Sequence, residues 1–139
     1  CVRGRTLVDS GPLVALFDQG DQHHQQALDF LKAFAGELIA TTPVLTEVAY
    51  LLDFSVAAQV DFIRWVSQGA ITLAELNRRD LLRIVELTQK YADLPMDFAD
   101  ASLVAVGERL DIRQIATVDT HFHLYRMKGR TSFRNLFFS

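Results

Sequence analysis

Short apolar runs, each followed by a stretch of helical periodicity, constrain this chain more than any other feature. The runs are residues 6–9 ("TLVD"), 37–42 ("ELIATT"), 70–76 ("AITLAEL") and 113–119 ("RQIATVD"), with a last strand expected over 131–138 ("TSFRNLFF"). Between them the punctuation is helical. Ser10 is placed to cap a helix with Pro12 in its first turn and Gly20 past its end, and Asp21 to cap the next, which closes at Gly36. Thr42-Pro43 restarts a helix, because the residue before proline avoids helical angles and proline suits a first turn. Residues 55–69 read as a helix with Val56, Val60, Ile63 and Val66 on its apolar side. Asn77 caps a helix to about Ala92, and after Pro95 another begins near Phe98. Strands separated by helices predict an α/β fold, a three-layer α/β/α arrangement around a mostly parallel sheet. Ligands of such sheets sit beyond the carboxyl ends of the strands.

The length of 139 residues predicts one domain, 1–139. Half the residues are apolar, enough for a core, and a net charge of −3 argues against a general nucleic-acid coat protein. The one cysteine, Cys1, permits no internal disulfide, which suits a reducing, cytoplasmic location. No apolar run is long enough to span a membrane and no signal peptide is visible. Charge is uneven: from Thr120 onward there is no acid, but Arg126, Lys128, Arg130 and Arg134 are present. That stretch is either a solvated edge or a contact for phosphate or a partner.

Two strands end in acids, Asp9 and Asp119, which a parallel sheet brings to the same edge. Glu47 and Asp100 stand in early turns of helices that open onto that edge. Carboxylates packed together repel and perturb each other's ionisation. A divalent cation resolves the conflict, and hard oxygen ligands describe magnesium or manganese. Each acid also has a plainer reading: Asp9 and Asp119 as caps of following helices, Glu47 as an exposed helical residue, and Asp97 with Asp100 as a capping box. Asp97 reads best as the cap and Asp100 as the ligand.

The segments "LVDSGPLVALFD", "TTPVLTEVAYLL", "DFADASLVAVGERL" and "IATVDTHF" resemble, in this order and spacing, those of PIN-domain ribonucleases, particularly the toxin subunits of VapBC-type toxin–antitoxin pairs. The resemblance spans roughly residues 6 to 138. It implies that Asp9, Glu47, Asp100 and Asp119 are the catalytic acids, with Asp9, Asp100 and Asp119 holding Mg2+ or Mn2+. It also implies that Ser10 and Thr117 support the site by hydrogen bonds. Asp97 lies outside the usual set. The implied activity is RNA hydrolysis by metal-activated water, with an antitoxin that blocks the crevice and a homodimer as partners. Leu51, Leu52, Phe54 and Trp65 are candidates for such interfaces or for ordinary core.

The remaining residues offer no rival chemistry of equal weight. His23 and His24 read as solvent-facing, and His121 and His123 as surface groups near the mouth; no Cys/His spacing suits tetrahedral zinc. A haloacid-dehalogenase-type phosphatase needs an Asp two positions after the first, where Gly11 stands. A phospho-receiver needs paired acids by the first strand and a late lysine, neither in place. A catalytically silent PIN-like binding module or scaffold stays open as the alternative.

Overall fold

The computed structural model describes residues 4–94, 96–127 and 132–138, with the side chain of His123 outside the description. Five parallel strands form the sheet, in the order β3-β2-β1-β4-β5. They are β1 (Arg5–Val8), β2 (Glu37–Ala40), β3 (Thr72–Leu73), β4 (Gln114–Ala116) and β5 (Arg134–Asn135). The helices are α1 (Ser10–Phe17), α2 (His24–Ala33), α3 (Thr42–Leu51), α4 (Val56–Ser67), α5 (Arg78–Lys90) and α6 (Phe98–Leu110). The architecture is the expected three-layer α/β/α fold. Strand order reverses between β1 and β4, where Leu7 pairs Ile115 and Val8 pairs Ala116. Chain connections leave that point in opposite directions, which opens a crevice at the carboxyl edge.

Helix starts follow their caps. The Ser55 hydroxyl accepts from Ala58 N (3.1 Å), and Asn77 and Asp80 form a reciprocal capping box. Asp97 and Asp100 form a second box at the head of α6. That helix is buried from Ala99 to Gly107, where alanine, serine and glycine allow close packing. Arg109 Nε reaches both carboxylate oxygens of buried Asp80 (3.1 Å each), and Arg83 grips Glu108, which pins α5 to α6. The core gathers Leu7, Ile39, Val44, Val48, Leu52, Phe62, Leu87, Leu103 and Ile115.

Several local expectations are corrected. Asp9, not Ser10, caps α1, because Asp9 is the extended residue whose carboxylate takes the Ser10 N–H. Asp21 precedes the cap of α2, which is His23; its Oδ1 takes the His23 N–H (2.8 Å). β3, β4 and β5 are shorter than the apolar runs that predicted them, and both acids lie past the strand ends. On α4 the buried residue is Phe62, while Val56, Val60 and Ile63 are exposed and Val66 is half-buried. Leu52 is core and Trp65 packs edge-on to Phe17 (5.5 Å between ring centres), so neither is free for an interface; Leu51 and Phe54 are exposed. Cys1, Pro95, Lys128, Arg130 and Thr131 lie outside the described residues.

Candidate metal centre

Asp9 is the first residue beyond β1. Its N–H still follows the sheet, donating to Ala116 O (3.0 Å), while its carboxylate turns into the crevice. Oδ1 accepts from Ser10 N (2.8 Å) and Oδ2 accepts from the Thr117 hydroxyl (2.8 Å). The same hydroxyl accepts from Asp119 N (2.9 Å), so one threonine ties the acid after β1 to the acid after β4. Asp119 caps a 3-10 turn, Thr120–His123, and its Oδ1 takes both the backbone N–H of His121 and the ring Nδ1 of His121 (2.8 Å each). Asp100 stands in the first turn of α6, where its Oδ2 accepts from Asp97 N (3.1 Å). Asp9, Asp100 and Asp119 each present a carboxylate oxygen, and these oxygens lie within 4.8 Å of one another.

Glu47, on α3, stands beside this group rather than in it. The Ser10 hydroxyl donates to its Oε1. Its other neighbours are Asp97 and Asp119, whose charges act on it. From Glu47 and Asp97 a groove of about 630 Å³ runs outward, lined by Thr42, Pro43, Thr46, Tyr50 and Phe98.

Burial and repulsion act together here. Burial, offset in part by the bonds to Ser10 and Thr117, pushes the Asp9 carboxyl up to about 6, with Glu47 and Asp119 adding to the rise. Asp100 is pushed up to about 8, first by burial and then by the charge of Asp9. Glu47 is raised by burial and by Asp97. Asp9 and Asp100, both raised, share a cluster with the carboxylate of Asp119, and such a cluster is a site for positive charge. The donor set is hard oxygen, the chemistry that suits a divalent cation such as Mg2+ or Mn2+. Buried Tyr125 keeps a hydroxyl without a hydrogen-bond partner among the described residues.

The PIN domain matches residues 6–128 of the chain. This protein belongs to the PIN-domain family. The PIN domain is 28% identical over 126 residues to Ribonuclease VapC26 of Mycobacterium tuberculosis (strain ATCC 25618 / H37Rv), covering 88% of this chain and 93% of that protein. Its fold is shared with M. tuberculosis VapC20, described as a sarcin-ricin loop cleaving toxin (TM-score 0.76, 20% identity, 83% of this chain and 90% of that one). It is shared also with VapBC2 of Rickettsia felis, solved bound to a DNA fragment from its promoter (TM-score 0.64, 11% identity, 94% and 98%). The VapC-type resemblance read from the motifs agrees with these names.

The PIN fold thus brings Asp9, Asp100 and Asp119 together, sets Glu47 at their edge through Ser10, and lays Thr117 between two of them. Sequence reasoning missed three residues. Asn135, on β5, accepts from Thr117 N (3.3 Å) and donates to Thr117 O (3.0 Å), holding the threonine backbone. His121 was expected at the surface but bonds Asp119; its position two residues after a capping acid was the available signal. Tyr125 carried no signal. His23 and His24 are half-buried rather than solvent-facing: His23 lies edge-on to Phe137 and Phe138, and His24 Nδ1 meets Ala15 O at 2.7 Å. Of the basic stretch, Arg134 is exposed, and Arg126 Nη1 donates to Tyr125 O (3.1 Å).

Proposed function

We propose that this PIN domain, as a single unit, is a metal-dependent endoribonuclease that hydrolyses RNA phosphodiester bonds, and that it serves as the toxin of a type II toxin–antitoxin pair. The observation that carries the reading is the convergence of the Asp9, Asp100 and Asp119 oxygens within 4.8 Å. The ribonuclease name of a relative covering most of the chain supports the reaction class, and the VapBC neighbour supports an antitoxin partner.

Asp9, Asp100 and Asp119 would hold the ion, Mg2+ or Mn2+. When bound, such an ion supplies positive charge to a phosphoryl oxygen and lowers the pKa of its water. Ser10 and Thr117 orient the carboxylates by their hydroxyls. Glu47, raised by burial and by Asp97 and facing the groove, is the acid placed to take the proton of the attacking water. RNA lies in the groove, where exposed Tyr50 and Phe98 offer rings to unpaired bases. Exposed Arg134, in the basic stretch, contacts the backbone without reading bases.

The antitoxin docks an amphipathic segment on the exposed apolar side of α3 and α4, around Leu51, Phe54, Val56, Val60 and Ile63. A homodimer uses exposed Leu81, Leu82 and Val85 of α5. No described helix is long and apolar enough to cross a membrane; RNA and antitoxin as partners suit the cytoplasm.

The test is incubation of the purified chain with a mixed RNA pool in Mg2+, Mn2+ or EDTA, with cut sites mapped and Asp100→Asn as control. Cleavage that needs the ion and is lost in the variant is expected. RNA left intact in both metals would favour the silent binding module.

A further inference from the structure

His121 has no part in the reaction proposed above, yet its ring touches one of the three clustered acids. Asp119 Oδ1 accepts twice from this one residue, from the backbone N–H and from the ring at Nδ1, each at 2.8 Å. A carboxylate only accepts, so Nδ1 carries the hydrogen, and in the protonated ring it carries one as well. The contact therefore needs no particular charge on the ring. The backbone bond is the cap of the turn Thr120–His123, and the fold accounts for it. The ring bond is not needed for that cap.

The three acids differ in what holds them. Asp9 is buried and fixed at both oxygens, by Ser10 N and by the Thr117 hydroxyl. Asp100 is buried at the head of α6, inside a reciprocal capping box. Asp119 is the half-buried one, its side chain 27% exposed, and it precedes a single 3-10 turn rather than a long helix. One bond to one oxygen leaves a carboxylate free to swing about that bond. A second donor on the same oxygen stops the swing, and among the described residues Oδ2 of Asp119 accepts no hydrogen bond. His121 is itself anchored at its base. Its carbonyl accepts from Leu124 N (2.8 Å) and Tyr125 N (3.3 Å), and the adjoining Phe122 is buried edge-on against Tyr125, 5.1 Å between ring centres.

We propose that His121 is a positioning residue for the divalent ion: by donating from Nδ1 to Oδ1 of Asp119, its ring fixes that carboxylate and offers Oδ2 to a cation held with Asp9 and Asp100. The inference rests on the metal reading above and adds the side chain that makes the most exposed of the three acids a fixed ligand. Partners of this kind behind a ligating carboxylate tune metal affinity by about 10- to 100-fold.

The experiment compares the full chain with His121→Ala, His121→Asn and His121→Gln by Mn2+ calorimetry and by thermal melting in EDTA and in Mn2+. Asparagine carries an amide N–H where the ring has Nδ1; glutamine carries one only where the ring has Nε2. In H121A and H121Q the Mn2+ affinity should fall at least about tenfold, and the melting gain on adding Mn2+ should shrink. H121N should bind close to the wild-type affinity. All three should melt near the wild-type temperature in EDTA, because the capping bond from the backbone N–H remains. If H121A fails to fold, H121N against H121Q still decides. Wild-type affinity in H121A or H121Q would overturn the proposal and leave the ring a brace for the turn. Rescue by glutamine and not by asparagine would make the ring a direct ligand through Nε2 and overturn it as well. Absence of Mn2+ binding to wild type would overturn the metal reading and this inference with it. Wild type that binds Mn2+ but cuts no RNA would remove the nuclease reading alone, while the affinities still decide the role of His121.

Discussion

At the scale of single residues, capping does not compete with the proposed metal binding, because one geometry serves both. Asp9 caps α1, Asp119 caps a 3-10 turn, and Asp100 is the inner member of a capping box. Each backbone N–H that a carboxylate accepts leaves it oriented with lone pairs still free. Asp100→Asn, or Asp119→Asn, should leave the fold intact and lower cleavage at least about 100-fold, beyond the effect of losing an outer partner. RNA turnover at the wild-type rate in both variants would refute the site. The hydroxyl of Thr117 serves two acids at once, so Thr117→Ala should cost about 1–2 kcal/mol of stability and weaken Mn2+ binding. Thr117→Ser should restore the binding, which calorimetry on the pair of variants would check. Asp9, Asp100 and Asp119 were legible because each stands at a recognisable strand end or cap, whereas Glu47, well inside α3, was marked only by its early turn and by the motif resemblance. Asn135 was not, since its contact is not local in sequence: it meets Thr117 across eighteen positions.

Elements set the distances between those residues. β1 and β4 are neighbours in register, so the chain segments that leave their carboxyl ends are forced side by side. Gly11, at the start of α1, is the tightest point of that approach: a Cβ there would lie 2.2 Å from Val118 Cγ2. Val118 stands between Thr117 and Asp119, so any relief of the clash moves the Asp119 loop. Gly11→Ala should destabilise by about 1–3 kcal/mol, as overpacking does, and weaken Mn2+ binding more than its chemistry suggests. Val118→Ala in the same chain should recover most of both losses, a coupling that melting and calorimetry on the double-mutant cycle would reveal. Helical periodicity located α4 but assigned its faces wrongly. An apolar stripe is buried only if another element reaches it, and among the described residues none covers Val56, Val60 and Ile63, which are exposed.

For the whole molecule, the clustered acids couple stability to pH and to metal. Asp9 and Asp100 titrate near 6 and 8 when folded, above their ordinary value of 3.8. The folded protein therefore holds more protons than the unfolded chain between about pH 4 and 8, and these groups' stabilisation is lost as pH rises through that window. In EDTA the contribution of the site should fall from pH 5 to pH 8, and Asp100→Asn should flatten the slope; Mn2+ should reverse the trend at pH 8, all read by melting temperature. A steeper slope in the variant would contradict this. Ile63→Glu, at an exposed position of α4, should leave RNA cleavage unchanged and abolish capture of an antitoxin if that face is its seat, as co-purification of the pair would test. The sequence by itself determined the alternation of strands and helices and the caps at Asn77 and Asp97, because these follow from local periodicity and from the hydrogen-bonding needs of helix ends. Only the tertiary structure decided which acids come together and which apolar stripes stay exposed. Those depend on contacts between segments far apart in the chain, whose distances no local pattern encodes.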